Sequence, residues 1–419
     1  IASVGYDLTA RLWDAPTGAP GPILRHNRGR VRTVVYSPSG QQIASGGNDK
    51  TVRLWDVQTG APGQILSGHA HQVTIVVYSP SGHQIASGSY DNTIRLWDAQ
   101  TGAPGPILSD HNSSVTSLVY SPSGQQIASG SWDNTVRLWD AQTGAPGPVL
   151  DGHTDKVTNV MYSPSGWQIA SCSEDRTVRL WDAQTGAPGP ILSGHSSSVT
   201  SLVYSSSGRQ IASCSRDRTV RLWDAQTGAR GLILNGHTGV VSNVAYSPCS
   251  QQIASGSEDK TVRLWNVNSE QCLAVVSDFH GSITSITWNL TPNGTYFVTG
   301  CADKSLRMWQ VVVEEGRYYV RLEWSTMHHG LAVSNTSLRG VHDLSKINMR
   351  LLKQRGAVNE PIPHFSSSEE APVSGYLEAT DSDAQTTDNY AETTEASLAD
   401  GSNVAKYAHL VHPLLDPGP

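Results

Sequence analysis

No stretch of the 419-residue chain approaches the roughly 18 consecutive apolar residues that a membrane-spanning helix needs, so a helical span is excluded. Basic residues are not in excess: 29 Lys and Arg face 36 Asp and Glu, for a formal charge of −7. That balance argues against nucleic acid as the main partner, which calls for a basic domain. Cysteine is scarce. The five present (Cys172, Cys214, Cys249, Cys272 and Cys301) are odd in number and form no CxxC pair, which excludes a disulfide framework and points to a reducing, cytoplasmic compartment, with the nucleus as the alternative. The phosphate loop G-x-x-x-x-G-K-[ST] and the nucleophile elbow G-x-S-x-G are both missing. No carboxylate pair, metal cluster or cofactor loop stands outside the repeating pattern described next, so neither cofactor nor metal is expected.

What is present is a repeat. Trp13, Trp55, Trp97, Trp139, Trp181, Trp223 and Trp265 follow one another at a strict 42-residue period, and Trp309 comes 44 residues later. Five units carry the string VRLWD or IRLWD, Arg11-Leu12-Trp13-Asp14 is the same phrase, and His26, His69, His111, His153, His195, His237 and His280 each precede a Trp by 28 or 29 residues. A fixed period of this length is the mark of a repeat architecture. Within one unit, Val73-Thr74-Ile75-Val76-Val77-Tyr78 is a β-branched run ended by the turn Ser79-Pro80-Ser81-Gly82. Ile85-Ala86-Ser87 and Thr93-Ile94-Arg95-Leu96-Trp97 read as second and third strands, and Pro106-Ile107-Leu108 as a fourth whose Pro suits an edge. Four short antiparallel strands cannot bury both faces alone. Stacking such sheets radially does bury them, which is the β-propeller solution.

At its Gly-His and Trp-Asp signatures the chain resembles the WD-repeat β-propeller family, over about residues 1–324. The expected fold is therefore all-β: seven full four-stranded units plus a partial one in residues 1–24, which lacks its innermost strand. An eight-unit array is the first reading, and a seven-bladed ring with residues 1–24 left over is the second.

Each full unit sets His, Ser or Thr, Asp and Trp at fixed offsets: His69, Ser87, Asp91, Trp97; His111, Ser129, Asp133, Trp139; His153, Ser171, Asp175, Trp181; His195, Ser213, Asp217, Trp223; His237, Ser255, Asp259, Trp265; and His280, Thr299, Asp303, Trp309. Ser-His-Asp invites a hydrolase reading. A site repeated once per unit is architecture instead. The expected arrangement is a hydrogen-bond chain from indole N–H to hydroxyl to imidazole to carboxylate, and the resemblance implies such a tetrad, which would tie the Gly-His loop to the turn after the second strand. No residue is expected to be catalytic. Arg53, Arg95, Arg137, Arg179, Arg221, Arg263 and Arg307 share one strand position and read as a column of paired charges between blades.

Comparing the copies within this chain separates scaffold from choice. The residue before the turn Asp changes from unit to unit (Asn48, Tyr90, Trp132, Glu174, Arg216, Glu258, Ala302), and the residue after it varies among Lys50, Asn92, Asn134, Arg176, Arg218, Lys260 and Lys304. The residues after the His vary too, His71 and Lys156 among them. The turns Ser-Pro-Ser-Gly and Gln-Thr-Gly-Ala-Pro-Gly hardly change, apart from the position of Gln41, His83, Gln125, Trp167, Arg209 and Gln251. Variation confined to loops on a rigid scaffold is where recognition tends to reside. A protein or peptide partner is therefore expected on a face built from Asn48, His71, Tyr90, Asn92, Trp132, Lys156, Glu174, Arg176, Arg216, Arg218, Glu258 and Lys260, with Tyr90 and Trp132 side by side at its centre.

The repeat ends near Trp324. Residues 325–357 form a post-propeller segment in which Leu344, Ile347, Leu351 and Leu352 make one stripe of a short helix over 344–355, with Gly356 at its end. Residues 358–419 read as a disordered acidic tail: positions 366–403 carry nine Asp and Glu and no Lys or Arg, whereas residues 1–355 hold 28 basic and 25 acidic side chains. The string Leu344-Ser345, Asn348 and Leu351-Leu352-Lys353-Gln354-Arg355-Gly356-Ala357 is similar to the segment that follows WD repeats in fungal NACHT-type signalling NTPases. That resemblance implies a C-terminal sensor whose NTPase domain lies upstream of Ile1. A stand-alone scaffold or substrate adaptor, of the G-protein-β-like or ubiquitin-ligase-receptor type, is the alternative.

Overall fold

β-Branched runs broken every few residues by Gly, Pro, Ser or Asp can only pair locally, and they do so in hairpins. The first blade contains β1 (Ala2–Val4), β2 (Thr9–Trp13) and β3 (Pro20–Arg25), and the second β4 (Val31–Tyr36), β5 (Gln42–Gly47), β6 (Thr51–Asp56) and β7 (Pro62–Ser67). Every pairing is antiparallel between consecutive strands, in the orders β1-β2-β3 and β4-β5-β6-β7. Six further four-stranded meanders follow within 73–108, 115–150, 157–193, 199–234, 241–276 and 283–325. The computed structural model describes residues 1–326 except 6, 26–28, 292–293 and 315–316. The helix expected over 344–355 and the acidic tail lie outside the described residues.

Each sheet is apolar on both faces because a neighbouring blade covers each face. Ala44, Val52, Leu54 and Leu66 of the second blade share one core with Val73, Val76, Tyr78, Ile85 and Trp97 of the third. The same pattern recurs around the ring. Burying one repeat indole, with about 150–250 Å² of surface, contributes about 4–6 kcal/mol. Polar seams accompany the cores. Thr74 Oγ1 donates to the Val115 carbonyl of the next blade at 2.7 Å, and Tyr78 OH donates to Gln42 Oε1 of the previous one at 2.8 Å. Most outer strands open with Pro-Gly, which keeps these edges from pairing with other chains.

The first blade is part of the ring. Trp324, from the last strand of the eighth blade, is 1% exposed beside Trp13, Val298 and Met308. Its indole donates to the Ala15 carbonyl at 2.9 Å. Gly18 (φ 68°) lies against that ring, and a Cβ there would fall 2.5 Å from Trp324 Cδ2. Residues 1–24 are thus not left over from a seven-bladed ring: the arrangement has eight blades, the first with three strands among the described residues.

Candidate recognition face

The turn between the second and third strands and the loop that carries the repeat His meet at one end of each blade. In the third blade Trp97 Nε1 donates to Ser87 Oγ at 2.9 Å, and His69 Nε2 lies 2.8 Å from the same oxygen. His69 Nδ1 lies 2.9 Å from Asp91 Oδ2, which also accepts the Ala70 N–H at 2.7 Å. The carboxylate requires the proton on Nδ1, so Nε2 accepts from the hydroxyl. The tetrads of His111, His153, His195 and His237 repeat this with His-to-Asp distances of 2.7–2.8 Å. Burial opposes the charge on Asp91, yet hydrogen bonds from His69 and Thr93 hold its carboxyl well below the usual range. Asp133, Asp175, Asp217 and Asp259 are depressed in the same way. The tetrad serines are wholly buried. A nucleophile must be reached by its substrate, and these hydroxyls are sealed beneath an indole.

Two expectations need correction here. His280 is exposed, and only its backbone N–H reaches Asp303, at 3.2 Å. The buried ring in that place is Phe279, tilted against Trp309 with ring centroids 5.6 Å apart, so an aromatic contact replaces the imidazole there. The arginine column is not a uniform set of pairs between blades either: Arg137 reaches Asp110, in the link from the previous blade, at 4.0 Å, but others do not follow it. Arg53 and Arg307 pair within their own blades with Asp49 and Asp303 at 3.4 and 3.2 Å. Arg95, Arg179 and Arg263 press their guanidinium groups against Gly68, Gly152 and Gly236, where a Cβ would stand 2.6–2.7 Å from Nη1. The Gly of each Gly-His pair is therefore room for an arginine.

The tetrads hold up a variable surface whose residues differ in kind. Lys50, Asn92, Asn134, Arg176, Arg218, Lys260 and Lys304 all have φ of 65–71°. Asn meets that left-handed conformation at least cost and longer side chains meet it with strain, so part of the pattern at this position is a backbone requirement. Arg176, Arg216, Arg218, Glu258 and Lys260 are exposed around the rim.

Tyr90 and Trp132, on adjacent blades, are half-buried with ring centroids 5.6 Å apart. His71 meets the edge of Tyr90 at 5.8 Å. Lys156 Nζ stands 4.8 Å from the Trp132 centroid and 4.0 Å from Glu174. Arg32 stands over Tyr90 at 5.1 Å. It donates from Nε to Asn48 Oδ1 at 2.6 Å, from Nη2 to Gln72 Oε1 at 2.7 Å and from Nη1 to Tyr90 OH at 3.4 Å. The row runs Asn48, Arg32, Tyr90, Trp132, Lys156, Glu174. Sequence reasoning missed Arg32 and Gln72. The signal was there: Arg32 occupies the strand position that Thr or Ser holds in every other four-stranded blade. At the opposite end Trp167 is 69% exposed and stands without an aromatic neighbour among the described residues.

No curated protein matches the chain. A family model for the WD domain, G-beta repeat (WD40), matches residues 20–56, 60–98, 102–140, 144–182, 186–224, 229–266 and 270–310, more than half of the sequence. With these matches, eight radial blades and five complete tetrads among the described residues, the chain belongs to the WD40 repeat family.

Proposed function

We propose that this propeller is a non-catalytic recognition module that binds a protein or peptide at the variable-turn end. The observation that carries this reading is the row of Tyr90 and Trp132 flanked by Arg32 and Lys156. Trp, Tyr and Arg are the side chains that most often dominate binding energy, and here invariant tetrads hold them in place. WD40 propellers are in general interaction scaffolds, and among the described residues the five complete tetrads keep their hydroxyls wholly buried. The exposed rim of Arg176, Arg216, Arg218, Glu258 and Lys260 sets orientation and on-rate rather than affinity.

At a finer level, the likeness of residues 344–357 to the segment after WD repeats in fungal NACHT-type signalling NTPases favours a sensor role within a cytoplasmic signalling protein. A stand-alone scaffold or adaptor accounts equally well for the propeller itself. Quantitative capture of partners by wild type, Tyr90→Ala, Trp132→Ala and a Gln125→Ala control at the opposite end tests the proposed face. Each aromatic variant is expected to lose at least about 2 kcal/mol of binding with its melting temperature unchanged. Unaltered capture by both, or a larger loss at Gln125, overturns the assignment of the face.

A further inference from the structure

Arg32 is an uncompensated charge placed where the scaffold asks for a hydroxyl. In the third to seventh blades this position is Thr74, Thr116, Thr158, Thr200 or Ser242, and each donates to the next inner strand's first carbonyl. Arg32 gives up that structural bond. Its guanidinium is instead fixed by two neutral amide oxygens and one phenol, and among the described residues no carboxylate lies within ion-pair distance of it. Holding a half-buried cation by neutral acceptors orients it without neutralising it, which is how an anion receptor is pre-organised.

The neighbouring groups agree. The eight repeat tryptophans, with Trp288 and Trp324, all donate their indole N–H at 2.7–3.0 Å. Trp132 is in this row and makes no such bond among the described residues, so it adds a free donor beside Tyr90. Lys156 Nζ supplies a second positive charge, with Glu174 at 4.0 Å as its loose counter-ion. From Arg32 to Lys156 the row thus offers donors and positive charge across adjacent blades, with two aromatic rings between.

Resting on the recognition reading above, we infer that the partner at this row is an extended acidic peptide segment. One of its carboxylates takes the open side of the Arg32 guanidinium, and its chain lies along the Tyr90–Trp132 edges. A carboxylate matches the bidentate fork of Arg. A nucleic-acid backbone calls for a longer track of cations than two charges flanking two rings.

The experiment uses the full chain and fluorescence anisotropy with three labelled probes: a peptide alternating Glu and Ala, one alternating Lys and Ala, and a single-stranded DNA oligonucleotide. Arg32→Thr is the informative variant, because it restores the hydroxyl of the other blades and so keeps the fold. The Glu-Ala peptide is expected to bind wild type in a salt-sensitive way, and to lose at least about tenfold in affinity with Arg32→Thr while the melting temperature stays level or rises. Equal binding by Arg32→Thr, preference for the Lys-Ala peptide, or tighter Arg32-dependent binding of the oligonucleotide overturns the inference. If Tyr90→Ala and Trp132→Ala weaken binding where Arg32→Thr does not, the face stands and the acidic partner falls. If all three variants bind the Glu-Ala peptide as wild type does, both fall.

Discussion

Replacing His153 by Ala isolates what one tetrad contributes. The imidazole is fully buried, and its two nitrogens lie 2.7 Å from Asp175 Oδ2 and 2.8 Å from Ser171 Oγ. Its loss does not strand the carboxylate: Asp175 keeps the Thr177 N–H at 2.9 Å, the Thr177 hydroxyl at 2.7 Å and the Thr154 N–H at 3.1 Å. The orphan is Ser171, which still accepts from Trp181 at 2.8 Å while its own proton loses its acceptor in a wholly buried site. An unsatisfied buried hydroxyl costs about 1–3 kcal/mol, and the space left by the ring adds about 1 kcal/mol. The expected loss is therefore about 2–4 kcal/mol. Because blades of a repeat array respond mainly to their neighbours, the damage should concentrate in residues 153–193. Urea unfolding gives the magnitude, and amide hydrogen exchange gives the location. A loss under about 0.5 kcal/mol, or faster exchange spread evenly over all blades, refutes the reasoning. So does an esterase activity that this variant abolishes.

Two further outcomes follow from the same structure. His237 is held below its ordinary value by burial, which outweighs the pull of Asp259. A depressed imidazole stabilises the fold fully above its unfolded value near 6.5, and that stability fades as pH falls through the lower folded value. The tetrad carboxylates act likewise from about pH 4 downward, so thermal melts should show stability falling first below about pH 6.5 and again below about pH 4, with the upper step reduced in His237→Ala. Gly18→Ala should loosen the join between the eighth and first blades, since the methyl group meets Trp324 and the backbone must hold φ of 68°. A loss of at least about 1 kcal/mol is expected, with faster exchange around Trp324, and an unchanged melting temperature would count against this seam as part of the closed ring.

The blades were legible because their signals are local and repeated. A β-branched run, a Ser-Pro-Ser-Gly turn and a Trp at constant spacing recur often enough that chance cannot imitate them, and a period-two pattern buried on both faces admits few packings. The tetrads were legible for the same reason, and the one miss is instructive. A shift of a single residue places Phe279 where His280 was expected, and an aromatic ring fills the site by packing where imidazole fills it by hydrogen bonding. Arg32 was hidden because a lone arginine in a strand looks like a solvated edge until its neighbours are known.

By itself, then, the sequence determined the four-stranded unit, its radial stacking and the division into invariant tetrads and variable turns, because each depends on contacts within a repeat or between one repeat and its identical neighbour. Tertiary structure alone decided that residues 1–24 close the ring as an eighth blade. That contact joins Trp324 to Ala15 across some 309 positions of chain, a separation that no local spacing encodes. It also decided that Arg32 and Lys156 join Tyr90 and Trp132 in one continuous row: the repeat register already set the two aromatics side by side, but the reach of the two cations across the blades depends on the packing between them.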